Sequence, residues 1–120
     1  MIESDYSTLN PGIRKTVELL QANRFETTDS GDGKTNAAAG MECAMHFPNV
    51  AIVIPTAELL VPECRRLHHL LRNHGVRLQS QQMDPWIPSC QGMYDPATNV
   101  AMIVLTGVDD DLLEGRRKVD

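Results

Sequence analysis

Apolar and polar positions along this chain repeat with two different periods, and the switches between them predict its elements. Ile13, Val17 and Leu20 recur at helical spacing, with Arg14, Lys15, Glu18 and Gln21 on the other face. This predicts a helix over 11–23, with Asn10 as its N-cap and Pro11 at the first helical position, where a missing N–H costs nothing. Residues 1–9 read as a loose arm, or as an edge strand if Ile2 and Tyr6 find partners. Phe25-Glu26-Thr27-Thr28 has strand character and runs into Asp29-Ser30-Gly31-Asp32-Gly33. Glycines between small acidic residues there predict a tight loop. Lys34 to Met45 reads either as a flap or as a short helix.

Val50-Ala51-Ile52-Val53-Ile54 is apolar on both faces, the pattern of a buried central strand. Thr56 is placed to cap a second helix that reaches Asn73 and stops at Gly75, with Leu60, Cys64, Leu67 and Leu71 on one face. Pro62 requires that helix either to kink or to begin there. Val76 to Met83 reads as a strand and Asp84 to Ser89 as a proline-bounded loop. Cys90–Tyr94 and Val100–Leu105 flank the turn sequence Asp95-Pro96-Ala97-Thr98-Asn99 and predict a hairpin. Asp109-Asp110-Asp111 opens a short terminal helix or tail. The expected fold is α+β: a mostly antiparallel sheet with two main helices packed on one face, in a single domain over 1–120.

Composition narrows the functional classes. With 120 residues the chain has room for one domain. Eleven basic against sixteen acidic residues leave a net charge of −5, which argues against coating a nucleic-acid polymer but allows a small phosphorylated ligand held by a few arginines. No run is long and apolar enough for a membrane span, and the acidic, polar first residues do not read as a secretory signal. Cys43, Cys64 and Cys90 are odd in number and widely spaced, which fits neither a disulfide framework nor a zinc site and reads as small thiols in a reducing compartment. Few aromatics and six methionines make a small, adaptable core, and such chains often complete their burial by forming oligomers.

The candidate chemistry is largely exclusionary. Gly33-Lys34-Thr35 lacks the upstream glycine of a phosphate-binding P-loop, since Thr28 stands there, and Asp29 and Asp32 would repel phosphate. Gly31 and Gly33 occupy positions where an EF-hand needs oxygen ligands. His68, His69 and His74 lack the spacing of a zinc helix and read as solvated. No Ser-His-Asp or Cys-His constellation is present, Cys43 near His46 having no orienting acid beyond Glu42. The positive candidates are ligand contacts: Asp29, Ser30, Gly31 and Asp32 for ribose hydroxyls or a base edge, and Trp86 or Tyr94 for stacking on a planar ring. Arg14, ahead of Arg24, Arg65 and Arg66, is the candidate for phosphate, and His46 lies just before the buried strand. Each has a plainer reading: a turn-capping carboxylate, a core plug, a solvated helix charge.

Asn10-Pro11-Gly12-Ile13-Arg14, Val17-Glu18-Leu19-Leu20 and the stretch Phe25 to Gly33, with Leu59 to Val76 and Tyr94-Asp95-Pro96 through Asp110, resemble small proteins of tailed bacteriophages. Within that group the chain most resembles the first-described phage Thoeris anti-defence proteins. The resemblance implies a homo-oligomeric sponge, a dimer or hexamer, in the host cytoplasm. It would sequester cyclic ADP-ribose-type signals and, in some members, cyclic oligonucleotides, without catalysis or cofactor. Two other classes stay open: a protein-binding inhibitor presenting an acidic surface around Asp109–Asp111, and a metal-dependent phosphoesterase using Asp29, Asp32 and His46.

Overall fold

The computed structural model describes residues 10–33, 47–79 and 84–117. A single 3-10 turn, Pro11–Ile13, leads into α1 (Arg14–Ala22), followed by β1 (Glu26–Gly31) and β2 (Asn49–Ile54). A second 3-10 turn, Ala57–Leu59, opens α2 (Leu60–Asn73), and β3 (Ser89–Asp95), β4 (Val100–Thr106) and the one-turn α3 (Asp110–Leu113) complete the chain. The sheet order is β1-β2-β4-β3 with every neighbour antiparallel. Strands β2 and β3 therefore run the same way with β4 between them, and α2 is the connection that carries the chain across. This is the α+β architecture read from the sequence, with its two main helices.

Burial alternates along the inner strands. Val50, Ile52 and Ile54 of β2 and Ala101, Ile103 and Leu105 of β4 point into one cluster with Ile13, Val17 and Leu20 of α1 and Leu67 and Leu71 of α2. Both helices thus bury their apolar stripes on the same face of the sheet. Ala51, Val53, Met102 and Val104 on the other face are half-buried, which accounts for the two-sided apolar run in β2.

Both helices end by the same device. At α2 the Val76 N–H reaches back to Leu71 O (2.8 Å) and the Gly75 N–H to Arg72 O (3.0 Å), with Gly75 left-handed at φ 77°, the closing pattern that glycine accommodates. At α1 the bonds Phe25 N to Leu20 O and Arg24 N to Gln21 O repeat it, but Arg24 takes the left-handed position at φ 66°. Arg66 of α2 steadies this strained end: its guanidinium lies 3.7 Å from the Phe25 ring centre and donates to Asn23 O and Arg24 O, a cation at a helix C-terminus.

The structure corrects three local readings. Asn10 precedes the first turn, but its side chain makes no cap there; it accepts from the Asp32 N–H at 3.2 Å, while Asp32 accepts from Gly12 N–H. Asp110 supplies the rest of the cap, accepting from Lys15 N (3.1 Å), Thr16 N (2.8 Å) and Thr16 Oγ1 (3.1 Å). Next, Asp29, Ser30 and Gly31 are strand residues of β1 rather than loop. A bulge at Thr28 shifts the register so that Asp29 faces Ala51, a common device on an edge strand. Finally, Val76 to Gln79 alternates in burial but, among the described residues, pairs through one bridge, Gln79 parallel to Ser89. The rest of that expected strand, residues 80–83, lies outside the described residues, as do the arm 1–9 and the segment 34–45. Helix α2 begins at Leu60, so Pro62 falls in its first turn and causes no break.

Candidate functional site

Helix α2 has two working faces. Leu67 and Leu71 go to the core, whereas Val61, Arg65, His68, His69 and Arg72 form a stripe one turn apart along the flank. That stripe overhangs a groove of about 580 Å³ whose floor is Leu60, Cys64, Val76, Leu78 and Gly92, and Arg77 closes it from the segment after α2. The lining is apolar below and basic above, with no carboxylate among the described residues. The fold dictates this position. Because α2 crosses β4 to reach β3, its outer flank projects past β3, the strand at the edge of the sheet, and the chain beyond Gly75 turns back beneath it.

Arg65, Arg72 and Arg77 make no hydrogen bond or ion pair with any group among the described residues, whereas the chain's other cations are mostly committed. Arg66 holds Glu63 with its Nε and Nη2 (2.6 Å for the shortest contact). Lys15 and Arg116 pair with Glu114, and Arg116 also with Asp111. Arg117 donates to Trp86 O (2.8 Å), Gly107 O (2.6 Å) and Asp109 Oδ1. Three guanidinium groups without anionic partners among the described residues, on an acidic chain, make a local positive field over a low-polarity floor, where such charges act strongly on an anion.

Two thiols sit below the histidines. Cys90 Sγ lies 3.4 Å from His68 Nε2, and Cys64 lies on the same face of α2 one turn before His68. Burial, then the neighbouring Cys64, push the Cys90 thiol up to about 11, and burial raises Cys64 as well. Both are thiols rather than thiolates near neutral pH, so neither is a ready nucleophile. No group of three or more metal-ligating side chains forms among the described residues. No helix among them is long and apolar enough to cross a membrane.

The residues singled out from the sequence occupy other places. Gly31, Asp32, Arg14 and Trp86 gather around one end of the sheet. There Gly31 faces Asn49, Asn49 faces Thr106, and the Gly107 N–H donates to Pro48 O. Asp32 is 5% exposed and engaged in the helix cap. Arg14 begins α1 and is half-buried. Trp86 is half-buried in the 84–88 turn, its backbone N–H bonded to Asp84 Oδ1 and the Arg117 guanidinium 5.4 Å from its ring centre. Asp29 is exposed and Ser30 half-buried on the outer strand β1. Tyr94 is exposed on β3 at the opposite corner, its hydroxyl on Asn99 Oδ1 (3.2 Å). Three strand spacings and five residues separate Tyr94 from Gly31, about 20 Å. Tyr94 and the Asp29–Asp32 run therefore do not share one pocket within a chain. His46 lies outside the described residues.

No family model, curated protein or solved structure matches the chain. The site must be argued from its own chemistry. Asp109 and Asp110 are 2% and 5% exposed and satisfied internally, which removes them from any acidic surface. The three histidines read as solvated are all exposed, and His68 and His69 also line the groove. The signal was present in the sequence as a second stripe, 61-65-68-72, beside the apolar stripe 60-64-67-71.

Proposed function

We propose that the protein binds and sequesters a cyclic nucleotide immune signal, of the cyclic ADP-ribose or cyclic oligonucleotide type, without cleaving it, in the basic groove between α2 and β3. The observation that carries this reading is the trio Arg65, Arg72 and Arg77, without hydrogen-bond or ion-pair partners among the described residues, above an apolar floor. Guanidinium groups match phosphate oxygens in charge and geometry. The floor of Leu60, Val76 and Leu78, with the bare backbone of Gly92, offers an apolar bed for a base or ribose edge. Its volume lies in the usual range for small-ligand sites. His68 and His69 add imidazole hydrogen-bonding groups at the rim. The resemblance to phage Thoeris anti-defence proteins favours the same reading and places its action in the host cytoplasm: a protein in excess of its signal lowers the free messenger below the effector's threshold.

Homo-oligomerisation belongs to the same proposal. The large exposed apolar side chains Leu59, Val61, Met93, Tyr94 and Val100 belong to the turn that opens α2, to α2 itself and to the β3–β4 hairpin; Val61 lines the groove, and Met93, Tyr94 and Val100 line a separate depression on the hairpin. Copies meeting there would bring a partner's Tyr94 towards the groove. A second reading, an inhibitor that docks on a host protein, draws on those same apolar side chains.

The deciding experiment incubates the protein with cyclic ADP-ribose-type compounds and cyclic dinucleotides, removes free ligand, denatures the protein and identifies what is released. Intact messenger is the expected result. A cleaved product contradicts sequestration, and absence of any released nucleotide favours the protein-docking reading.

A further inference from the structure

Helix α2 lies against β3 in step: Leu60 covers Gly92, where an added Cβ would come within 3.2 Å of a Leu60 methyl carbon. Two turns on, His68 stands 3.4 Å from the sulfur of Cys90, two residues earlier on the strand. The contacts at Gly92 and at Cys90 bracket Cys64, one turn from each, and so set its thiol against the Cys90 stretch of β3, where each thiol alters the other's hold on its proton. Cys64 also lines the groove, so a small reagent reaches it from solvent, while Cys90 stands behind it.

We propose that Cys64 and Cys90 form a thiol pair that a low-molecular-weight disulfide, entering through the groove, oxidises to an intramolecular bridge between α2 and β3. The step is ordinary exchange. The Cys64 thiolate attacks one sulfur of oxidised glutathione and expels a glutathione thiolate, leaving a mixed disulfide. The Cys90 sulfur, its proton given up to the solvent or to His68, attacks the Cys64 sulfur and expels the second glutathione. One S–S bond breaks and one forms, two cysteines are oxidised, and two glutathione molecules are released, taking up the two protons. Oxidised glutathione carries several carboxylates, and Arg65, Arg72 and Arg77 at the groove rim favour its approach. The inference rests on the geometry of the groove, independently of which ligand it holds.

The raised thiols set the rate. Near neutral pH little thiolate is present, so bridging is slow, and its rate climbs up to about tenfold per pH unit until Cys64 itself titrates. Closing a loop of roughly 26 residues also restricts the unfolded chain enough to lift the unfolding midpoint by about 10 °C.

The test uses the reduced full-length protein carrying Cys43→Ser, treated with oxidised glutathione between pH 7 and pH 9 and read by intact mass and thermal melting. Expected are a loss of two hydrogens with no retained glutathione, the higher midpoint, reversal by dithiothreitol and the rise in rate with pH. In the same background Cys90→Ser retains one glutathione on Cys64, and Cys64→Ser stays unmodified. A lasting glutathione adduct on the protein that keeps both thiols, disulfide-linked dimers, or no reaction at pH 9 would overturn the proposal. Nucleotide binding is not read here, so this outcome and that of the sequestration experiment stand apart.

Discussion

The two ends of this small sheet use arginine and aspartate in opposite ways. Around Gly31 and Gly107, Asp32 and Asp110 cap α1, Asp109 caps α3, and Arg117 ties Trp86, Gly107 and Asp109 together. Along the α2 flank, Arg65, Arg72 and Arg77 stand over Leu60, Val76 and Leu78 with no partner among the described residues. A charge with satisfied hydrogen bonds is a fastener. A charge left unpaired beside an apolar floor is available to a ligand. The residues that look most chemical in the sequence, Asp29 to Gly33 and Trp86, belong mainly to the first group. The groove that carries the proposed binding is built from residues that look like ordinary helix surface.

Substitutions in the fastened end should damage stability and those in the groove should damage binding. The largest effect is expected at Gly107→Ala. Its φ is 77° and an added Cβ would stand 2.5 Å from the Ile87 backbone, so the loop must move, at about 3 kcal/mol or more in urea denaturation. Asp110→Ala comes next, since three donors at the start of α1 lose a buried acceptor; about 2–3 kcal/mol is expected. Asp32→Ala removes the acceptor of the Gly12 N–H at the same helix start and should cost about 1 kcal/mol. Arg72→Gln should leave the urea midpoint within about 0.5 kcal/mol of the parent while weakening nucleotide binding about tenfold. Equal loss of stability from Arg72→Gln and Asp32→Ala would erase the comparison.

The smallest effect concerns pH. The folded protein holds the Cys90 proton more tightly than the unfolded chain, with the thiol raised to about 11. That contribution is fully present below the ordinary thiol range and is lost as pH rises through it towards about 11, because the unfolded state then releases its proton first. Stability should therefore fall more steeply with pH above about 9 in the parent than in Cys90→Ser, as read by urea midpoints across that range.

The framework of the fold was legible because it rests on local signals. The apolar run at β2, the hairpin around Asp95–Asn99, the Gly75 stop and the two amphipathic helices all declare themselves within a few residues. The features that escaped are non-local. Val76 to Gln79 alternates as a strand should, with Val76 and Leu78 buried, but a strand also needs a neighbour's backbone, and among the described residues Pro88 and Ser89 supply it at Gln79 alone. Asn10 has the right identity for a cap, yet Asp32 and Asp110 arrive from elsewhere in the chain to take the donors. The groove required knowing that the 61-65-68-72 stripe overhangs β3, which strand order decides and periodicity does not.

The central claim is that Arg65, Arg72 and Arg77 hold a cyclic nucleotide in the α2–β3 groove. Calorimetric titration of cyclic ADP-ribose-type and cyclic dinucleotide ligands tests it most directly, comparing the parent with the variant Arg65→Gln/Arg72→Gln/Arg77→Gln. Saturable binding by the parent, lost at least a hundredfold in the variant at an unchanged melting temperature, is the predicted result. Equal affinity in both proteins, or no binding of either ligand class by the parent, would contradict it.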